Sequence, residues 1–409
     1  MDKGFSGLST RSAPRRLGRA RRALAGALGM GMALSMALVV GLAQAQVRVG
    51  VTLSSTGAAA SLGVVERNVF ELMPQEIGGQ KIEYIVLDDG GDPAQAVRNA
   101  RKLITDERVD ILLGGTTSPN CLAIVPVAAE LSVPFVAMGS AAAIVEPMDA
   151  NRRWVFKTVH NDQMMVEAIV EHMVKTGIKT VGYIGLADAT GEGYLRALRP
   201  LAERAGLRLV AVESYNRTDT SVTAQVLRLT MARPDAIFTA SLGTPAALPQ
   251  IEIVNRGYTG RLYQNHGVAN ADFLRVAGAA AEGLYLPIGP LLVASQLPEG
   301  NPARRPSLDI IQRYEARFGA GSTNTFISNA YDAWLLFANA LPRAAALAKP
   351  GTPAFRVALR DAIEATRDFA GTQGVYTMSA TDHVGLDARS RQIIRVVKGQ
   401  WKLVEQDRP

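Results

Sequence analysis

The most constraining feature of this sequence is an alternation of short apolar runs with amphipathic segments, which occurs in two series. The first series has strand-like runs at Val47–Leu53, Lys81–Asp88, Asp110–Gly115 and Pro134–Gly139, with helical patterns between them. The second series repeats the alternation between residues 163 and 289. The segments Asn151–Asp162 and Leu291–Ser307 are predicted as irregular connections. Runs rich in Val, Ile and Leu that alternate with helices indicate parallel strands covered on both faces. We therefore predict an α/β fold with two doubly wound parallel-sheet lobes.

The N-terminal 45 residues differ from the rest of the chain. They carry seven of the 44 basic residues but one of the 37 acidic residues, so the remainder is nearly neutral. This balance argues against a nucleic-acid partner. An arginine-rich start, an apolar stretch and Ala43-Gln44-Ala45 are the three parts of a secretory signal peptide. We predict a cleavable signal over residues 1–45 and a periplasmic location, with an uncleaved membrane anchor as the alternative.

Sequence patterns of enzymes and metal sites are missing. The chain has no Walker loop, no Gly-x-Ser-x-Gly and no His-Glu-x-x-His motif. Cys121 is the single cysteine, which excludes an internal disulfide and cysteine-based metal clusters. The four histidines (His160, His172, His266 and His383) are far apart in sequence. We expect no cofactor and no catalysis, although an enzyme on a doubly wound fold stays open as an alternative.

Three predicted helices begin with a capping residue followed by proline, namely Asp92-Pro93, Ser118-Pro119 and Thr244-Pro245. Ligands of open α/β sheets bind where such helices follow the strands, and helix N-termini there favour anions. The Gly114–Ser118 loop, with two glycines and three hydroxyl side chains, is the best carboxylate site. The alternative is that Ser118 only caps its helix. His266 lies at the end of a predicted strand, Leu262–Gly267, which precedes a predicted helix; a ligand contact and a structural role both stay open for it.

Several short motifs occur in an order and spacing that fit one known family. They are Ser55-Thr56-Gly57, Asp88-Asp89 with Asp92-Pro93, the Gly114–Ser118 loop, Pro134–Ala141, Gly191-Glu192-Gly193, His266-Gly267 and Tyr331-Asp332-Ala333. The chain resembles the branched-chain amino-acid-binding (Leu/Ile/Val) group of periplasmic binding proteins, which have the type I fold. The resemblance implies two lobes joined by a three-crossover hinge, with ligand in the cleft. We place lobe 1 at residues 46–161 plus 290–390 and lobe 2 at 162–289 plus 391–409.

The resemblance also implies a set of ligand-binding residues. A ligand carboxylate would be held by Ser118 and by the loop of Gly139, Ser140 and Ala141. The rest of the ligand would contact a pocket whose residues are Leu62, Thr116, Thr117, Thr190, Leu242 and Phe326. The family holds the ligand ammonium with an acidic residue on the second lobe, and this position is His266 here.

The departures from the family pattern suggest a different ligand. Imidazole donates to a carboxylate or hydroxyl but pairs poorly with a cation. Positions that are often aromatic in the family are Leu62, Thr190 and Leu242 here, and its frequent disulfide is absent at Gly91 and Thr117. We therefore expect a receptor of an ABC importer, acting as a monomer with an inner-membrane permease, that binds a carboxylate without an α-ammonium, such as an aromatic acid. The alternatives are binding of branched-chain or other amino acids, and a sensory ligand-binding module of the same fold.

Overall fold

A first sheet is built by residues 47–157. The computed structural model describes residues 46–404. The elements of this first part are β1 (Val47–Leu53), α1 (Ala60–Glu71), β2 (Glu76–Ile77), β3 (Gln80–Asp88), α2 (Pro93–Thr105), β4 (Ile111–Gly114), α3 (Ser118–Glu130), β5 (Phe135–Ala137) and β6 (Val155–Lys157). The strand order is β2-β3-β1-β4-β5-β6, and every pair except β2 with β3 is parallel.

A second sheet follows in the chain. Its elements are α4 (Asp162–Lys175), β7 (Thr180–Leu186), α5 (Ala189–Arg204), β8 (Arg208–Tyr215), α6 (Thr223–Met231), β9 (Ala236–Ala240), α7 (Ala247–Asn255), β10 (Arg261–Gln264), α8 (Ala271–Ala277) and β11 (Tyr285–Ile288). These strands pair in parallel in the order β11-β10-β9-β7-β8. The predicted α/β fold with two mostly parallel sheets is therefore confirmed.

The C-terminal part of the chain contributes to both lobes. Helices α9 (Arg304–Phe318), α10 (Phe326–Leu347) and α11 (Pro353–Glu364) share the apolar core of the first sheet, and a two-stranded ladder of β12 (Phe369–Ala370) and β13 (Val375–Tyr376) follows them. The last strands, β14 (Gln392–Val397) and β15 (Gln400–Leu403), add to the second sheet beside β11. The chain therefore passes between the lobes three times, after β6, after β11 and after β13.

Side-chain size and branching explain the strands. β1, β4 and β9 are fully or almost fully buried and rich in Val, Ile, Leu and Ala, as expected of strands covered on both faces. β8 lies at the sheet edge and alternates exposed with partly buried residues, because only one neighbouring strand covers it. Within residues 46–404, no helix is both long enough and apolar enough to cross a membrane.

The structure corrects three local predictions. Residues 151–162 were predicted as a connection only, but Val155–Lys157 is a buried edge strand. The predicted connection Leu291–Ser307 contains a 3-10 segment and the start of α9. His266 does not end a strand, because β10 stops at Gln264 and His266 begins a 3-10 turn. The helix predicted after this strand is present as α8. The predicted signal peptide lies outside the described residues.

Candidate functional site

The loops that follow β4 and β5 form the first wall of the candidate site. Asp92 caps α2 through a hydrogen bond from the Ala94 amide, as predicted. Ser118 does not cap its helix, because it is already helical and Thr117 occupies the N-cap position without a side-chain bond. The Ser118 hydroxyl instead accepts a hydrogen bond from the Ala141 amide at 3.1 Å. The hydroxyl therefore ties the two predicted carboxylate-binding loops together and keeps its own proton available to donate. Thr244 is no cap either, since it lies inside a 3-10 turn that begins after Gly243.

Gly139 is required by close packing between the two loops. A Cβ atom at residue 139 would lie 2.9 Å from Cys121 Sγ, 3.0 Å from Ile144 Cδ1 and 3.1 Å from Ser118 Cα. All three neighbours are buried, so none of them can move away without cost. Glycine at 139 therefore allows the loop of residues 139–141 to lie directly on the start of α3.

A buried lysine stabilises the same loop. Lys157 at the end of β6 is fully buried and donates to the Ser140 carbonyl oxygen at 2.7 Å and, in a short contact, to the Asn161 side chain. Burial lowers the pKa of Lys157 to about 8, while nearby Asp162 acts in the opposite direction. Below that pH, the lysine places a positive charge directly behind the loop, which favours an anion in front of it.

Asp162 connects this loop to the second lobe. Its Oδ1 atom accepts from the Ala142 amide at 3.3 Å, and its own amide donates to the Ser140 carbonyl oxygen at 3.1 Å. Its Oδ2 atom occupies the space that a Cβ at Gly193 of α5 would need. A groove of about 450 Å³ borders this junction, with walls that include Ala141, Ala142, Ala143, Asp162, Glu192, Gly193 and Arg196.

His266 and Tyr194 form the wall on the second lobe. His266 is 7% exposed, and its Nδ1 atom lies 3.1 Å from the Tyr194 hydroxyl oxygen. Burial, together with the nearby basic groups His160 and Lys157, lowers the pKa of His266 to about 3, so the ring is neutral at pH 7. Burial raises the pKa of Tyr194 above its usual range, whereas interactions with Asn265 and with Ser140 of the first lobe lower it. The tyrosine hydroxyl therefore lies between the predicted carboxylate loop and the predicted replacement for the acidic residue.

Three of the predicted pocket residues meet in an apolar cluster between the lobes. Leu62 on α1, Leu242 after β9 and Phe326 at the start of α10 pack together with Ala59. Leu242 also fills the space beside Gly267, the neighbour of His266. Apart from Phe326 the cluster is aliphatic, and it lies beside the histidine.

The predicted threonines make bonds that differ from one to the next. Thr116 accepts from the Ser54 amide at 3.0 Å and its hydroxyl lies 2.6 Å from the Glu66 carboxyl. Thr117 donates to the Asn120 side chain at 3.1 Å. Thr190 differs from the other two threonines, because its hydroxyl accepts from a charged side chain of the second lobe, Arg217. Arg217 also forms an ion pair with Asp188 in that lobe.

Four further residues of the site were missed by sequence reasoning: Tyr194, Lys157, Asp162 and Glu66. Glu66 lies inside a helix with no motif around it, and Tyr194 directly follows the Gly191-Glu192-Gly193 motif. Only their three-dimensional neighbours reveal these two residues as part of the site. For Lys157 the available signal was a lone lysine in an apolar run, Val155-Phe156-Lys157. His160 and His266, far apart in sequence, are close enough for each charge to affect the other. Among residues 46–404 no group of three or more His, Cys, Asp or Glu side chains could hold a metal ion.

A comparison with protein families shows the family to which the chain belongs. Residues 46–399 match the model of a family described as periplasmic binding protein. The chain belongs to this family. An extracellular ligand-binding receptor from Rhodopseudomonas palustris HaA2 is similar over 88% of this chain and 100% of its own, with 42% identity and a TM-score of 0.86. A type 1 periplasmic binding protein from Bordetella pertussis Tohama I, 25% identical, has a TM-score of 0.77 over 88% of this chain and 99% of its own.

The relatives with stated ligands are more distant members of the family. The leucine-, isoleucine-, valine-, threonine- and alanine-binding protein of Pseudomonas aeruginosa is 22% identical over 56% of this periplasmic binding protein, which spans 62% of that relative. A Streptococcus pneumoniae protein in complex with isoleucine is 20% identical, with a TM-score of 0.75 over 88% of this chain and 99% of its own. An R. palustris protein in complex with benzoate is 19% identical, with a TM-score of 0.75 over 88% of this chain and 95% of its own. At such identities they share the fold alone, and the ligand must be inferred from this chain's own residues.

Proposed function

We propose that this periplasmic binding protein is the solute receptor of an ABC importer, and that it binds a small aromatic carboxylate without an α-ammonium group between its lobes. The observation that carries the proposal is the position of Tyr194, whose hydroxyl lies at His266 and interacts with Ser140. One hydroxyl thus connects the carboxylate loop of the first lobe with the imidazole of the second. A ligand held between these groups would bring the lobes together.

The first wall of the cleft suits an anion. The Ser118 hydroxyl has accepted from the Ala141 amide and can donate its proton outward. Lys157 lies behind the loop with its ammonium group on the Ser140 carbonyl oxygen. A fixed donor backed by a buried positive charge is the arrangement that favours a carboxylate over a neutral group.

The second wall does not suit an ammonium group. The ionisable groups that act on His266 are His160 and Lys157, and both are basic. We infer that the Tyr194 hydroxyl donates to Nδ1, 3.1 Å away, so that the neutral imidazole carries its proton on Nε2 and is a donor there. A donor stabilises a carboxylate, phenol or carbonyl oxygen, and it has nothing to offer a cation. This wall therefore argues against an α-amino acid.

The apolar cluster suits a flat, rigid ligand body. Leu62, Leu242 and Phe326 supply aliphatic and aromatic contacts from both lobes. Aromatic rings bury a large apolar area at little cost in rotational freedom. This combination favours an aryl acid, and an aliphatic side chain such as that of leucine would use it less fully.

Calorimetric titration of the purified protein with benzoate, 4-hydroxybenzoate and leucine tests the proposal. We expect saturable binding of at least one aromatic acid and no heat change with leucine. Ser118→Ala should weaken aromatic acid binding, while a Gly300→Ala control, whose added Cβ meets nothing within 4 Å, should leave it unchanged. Tight binding of leucine without any response to the aromatic acids would defeat the ligand assignment.

A further inference from the structure

A buried carboxyl group without a counter-charge lies directly behind the candidate site. Glu66 on α1 is 0% exposed, one turn after Leu62 of the apolar cluster. Its Oε2 atom lies 2.6 Å from the Thr116 hydroxyl oxygen. Among residues 46–404 no donor makes a hydrogen bond within 3.5 Å to its Oε1 atom, and the Asn329 side chain acts on the carboxyl group only as a weaker contact. Ionised carboxylates are seldom buried without a cation or several donors, because desolvation costs too much.

The elements around Glu66 provide no such cation. Asp89, which follows β3, is acidic and disfavours ionisation of Glu66, and Cys121 on α3 is a buried thiol. Asn329 on α10 is neutral, and Asp332 on that helix is acidic and bonded to Thr372, Gln373 and Tyr376. Burial raises the pKa of Glu66 to about 8, while the contacts with Thr116 and Asn329 only moderate the rise. Glu66 is therefore mostly a neutral acid at pH 7.

The protonation of Glu66 decides what Thr116 can donate. A hydroxyl group has one proton to give and two lone pairs to accept with. Thr116 already accepts from the Ser54 amide at 3.0 Å. If the carboxyl group is ionised, Thr116 must give its only proton to Oε2. If the carboxyl group is neutral with its proton on Oε2, Glu66 is the donor and the Thr116 proton is released.

We propose that Glu66 is a positioning residue, which donates its proton to Thr116 and so frees the Thr116 hydroxyl to bond an acceptor oxygen of the ligand. The inference rests on the proposed function, because it places that oxygen between the lobes. Thr116 lies at the carboxyl end of β4, on the edge of the sheet where α/β proteins bind ligands. The acceptor is either an oxygen of the ligand carboxylate or one on its ring.

Titration of the wild-type protein, Glu66→Gln and Thr116→Val with benzoate and with 4-methoxybenzoate at pH 7.0 and 9.5 tests the inference. Neither acid changes its own charge in this range. Glutamine can donate an amide N–H to Thr116 at both pH values. Any change in the affinity of Glu66→Gln between pH 7.0 and 9.5 therefore measures the effect of Lys157, which titrates in the same range. We expect the affinity of the wild type to fall between these pH values by roughly two- to tenfold more than the affinity of Glu66→Gln. A loss restricted to 4-methoxybenzoate assigns the acceptor to the ring, and a loss with both acids assigns it to the carboxylate.

Identical pH profiles for the wild type and Glu66→Gln would overturn the inference. Should Glu66→Gln fail to fold, the same comparison with Thr116→Val applies, since valine has no proton to release. A ligand-free readout separates this inference from the proposed function. The infrared difference spectrum between the wild type and Glu66→Gln should show a protonated carboxyl band at pH 7.0 that disappears at pH 9.5. Absence of the band refutes the neutral acid whatever the ligand, whereas failure of every aromatic acid to bind refutes the proposed function alone.

Discussion

Replacement of His266 by alanine removes the one side chain that distinguishes the proposed site from an amino-acid site. The imidazole is neutral at pH 7, is 7% exposed, and has one nitrogen on the Tyr194 hydroxyl, which leaves a single ring nitrogen for the ligand. A hydrogen bond to a charged acceptor contributes roughly 1–3 kcal/mol, so the dissociation constant for the bound aromatic acid should rise by about 5- to 150-fold.

The loss of affinity caused by His266→Ala should not depend on pH between pH 5 and pH 7. Because the pKa of His266 is about 3, the ring does not gain a proton between pH 5 and pH 7, and its contribution to affinity should be constant there. Calorimetry of the wild type and of His266→Ala at pH 5, 6 and 7 measures both effects, and the same variant should not gain affinity for leucine. An unchanged dissociation constant at pH 7, or a His266-dependent rise in affinity below pH 6.5, would refute the assignment of this residue.

Further predictions concern the loop and its supports. Gly139→Ala should lower the free energy of unfolding by roughly 1–3 kcal/mol and weaken aromatic acid binding, because the added Cβ meets buried atoms at 2.9–3.1 Å. Chemical denaturation and calorimetry measure the two effects, and the control Gly300→Ala should show neither. Lys157→Met should weaken carboxylate binding by tenfold or more, because the Ser140 carbonyl oxygen loses its donor and the bound anion loses the buried positive charge behind the loop. Unchanged affinity, measured by calorimetry, would contradict this prediction. Glu66→Gln should raise the free energy of unfolding by roughly 3 kcal/mol at pH 7. The folded wild type binds the Glu66 proton more tightly than the unfolded chain, so its free energy of unfolding falls as pH rises from about 4.5 to 8. If the free energies of unfolding of the wild type and Glu66→Gln change in parallel across this pH range, the prediction is wrong.

The fold was predictable because its strongest signals are local. The strands β1, β4 and β9 are continuous apolar runs, and Asp92-Pro93 marks a helix start that the structure confirms. Ser118-Pro119 carries the same signal, but there the serine is recruited by the Ala141 amide. A capping signal records only what the nearby backbone can accept, and it cannot show that a more distant loop competes for the same hydroxyl.

The electrostatics of the site were not predictable from the sequence. Glu66 lies in a helix among residues of the packed core. The side chains that act on it come from α10 and from the loops after β3 and β4, and none of these side chains is a cation. Tyr194 similarly reaches His266 across 72 residues of sequence. A single sequence shows which residues could form such contacts, whereas the burial that shifts their pKa values depends on tertiary packing.

A crystal structure of the protein with a bound aromatic acid tests the central claim most directly. We expect the ligand carboxylate within about 3 Å of the Ser118 hydroxyl and the loop of residues 139–141, with His266 in hydrogen-bond contact and the ring against Phe326. A ligand seated away from these loops, or a His266 ring that contacts only protein atoms while an α-ammonium is held elsewhere in the cleft, would contradict the account.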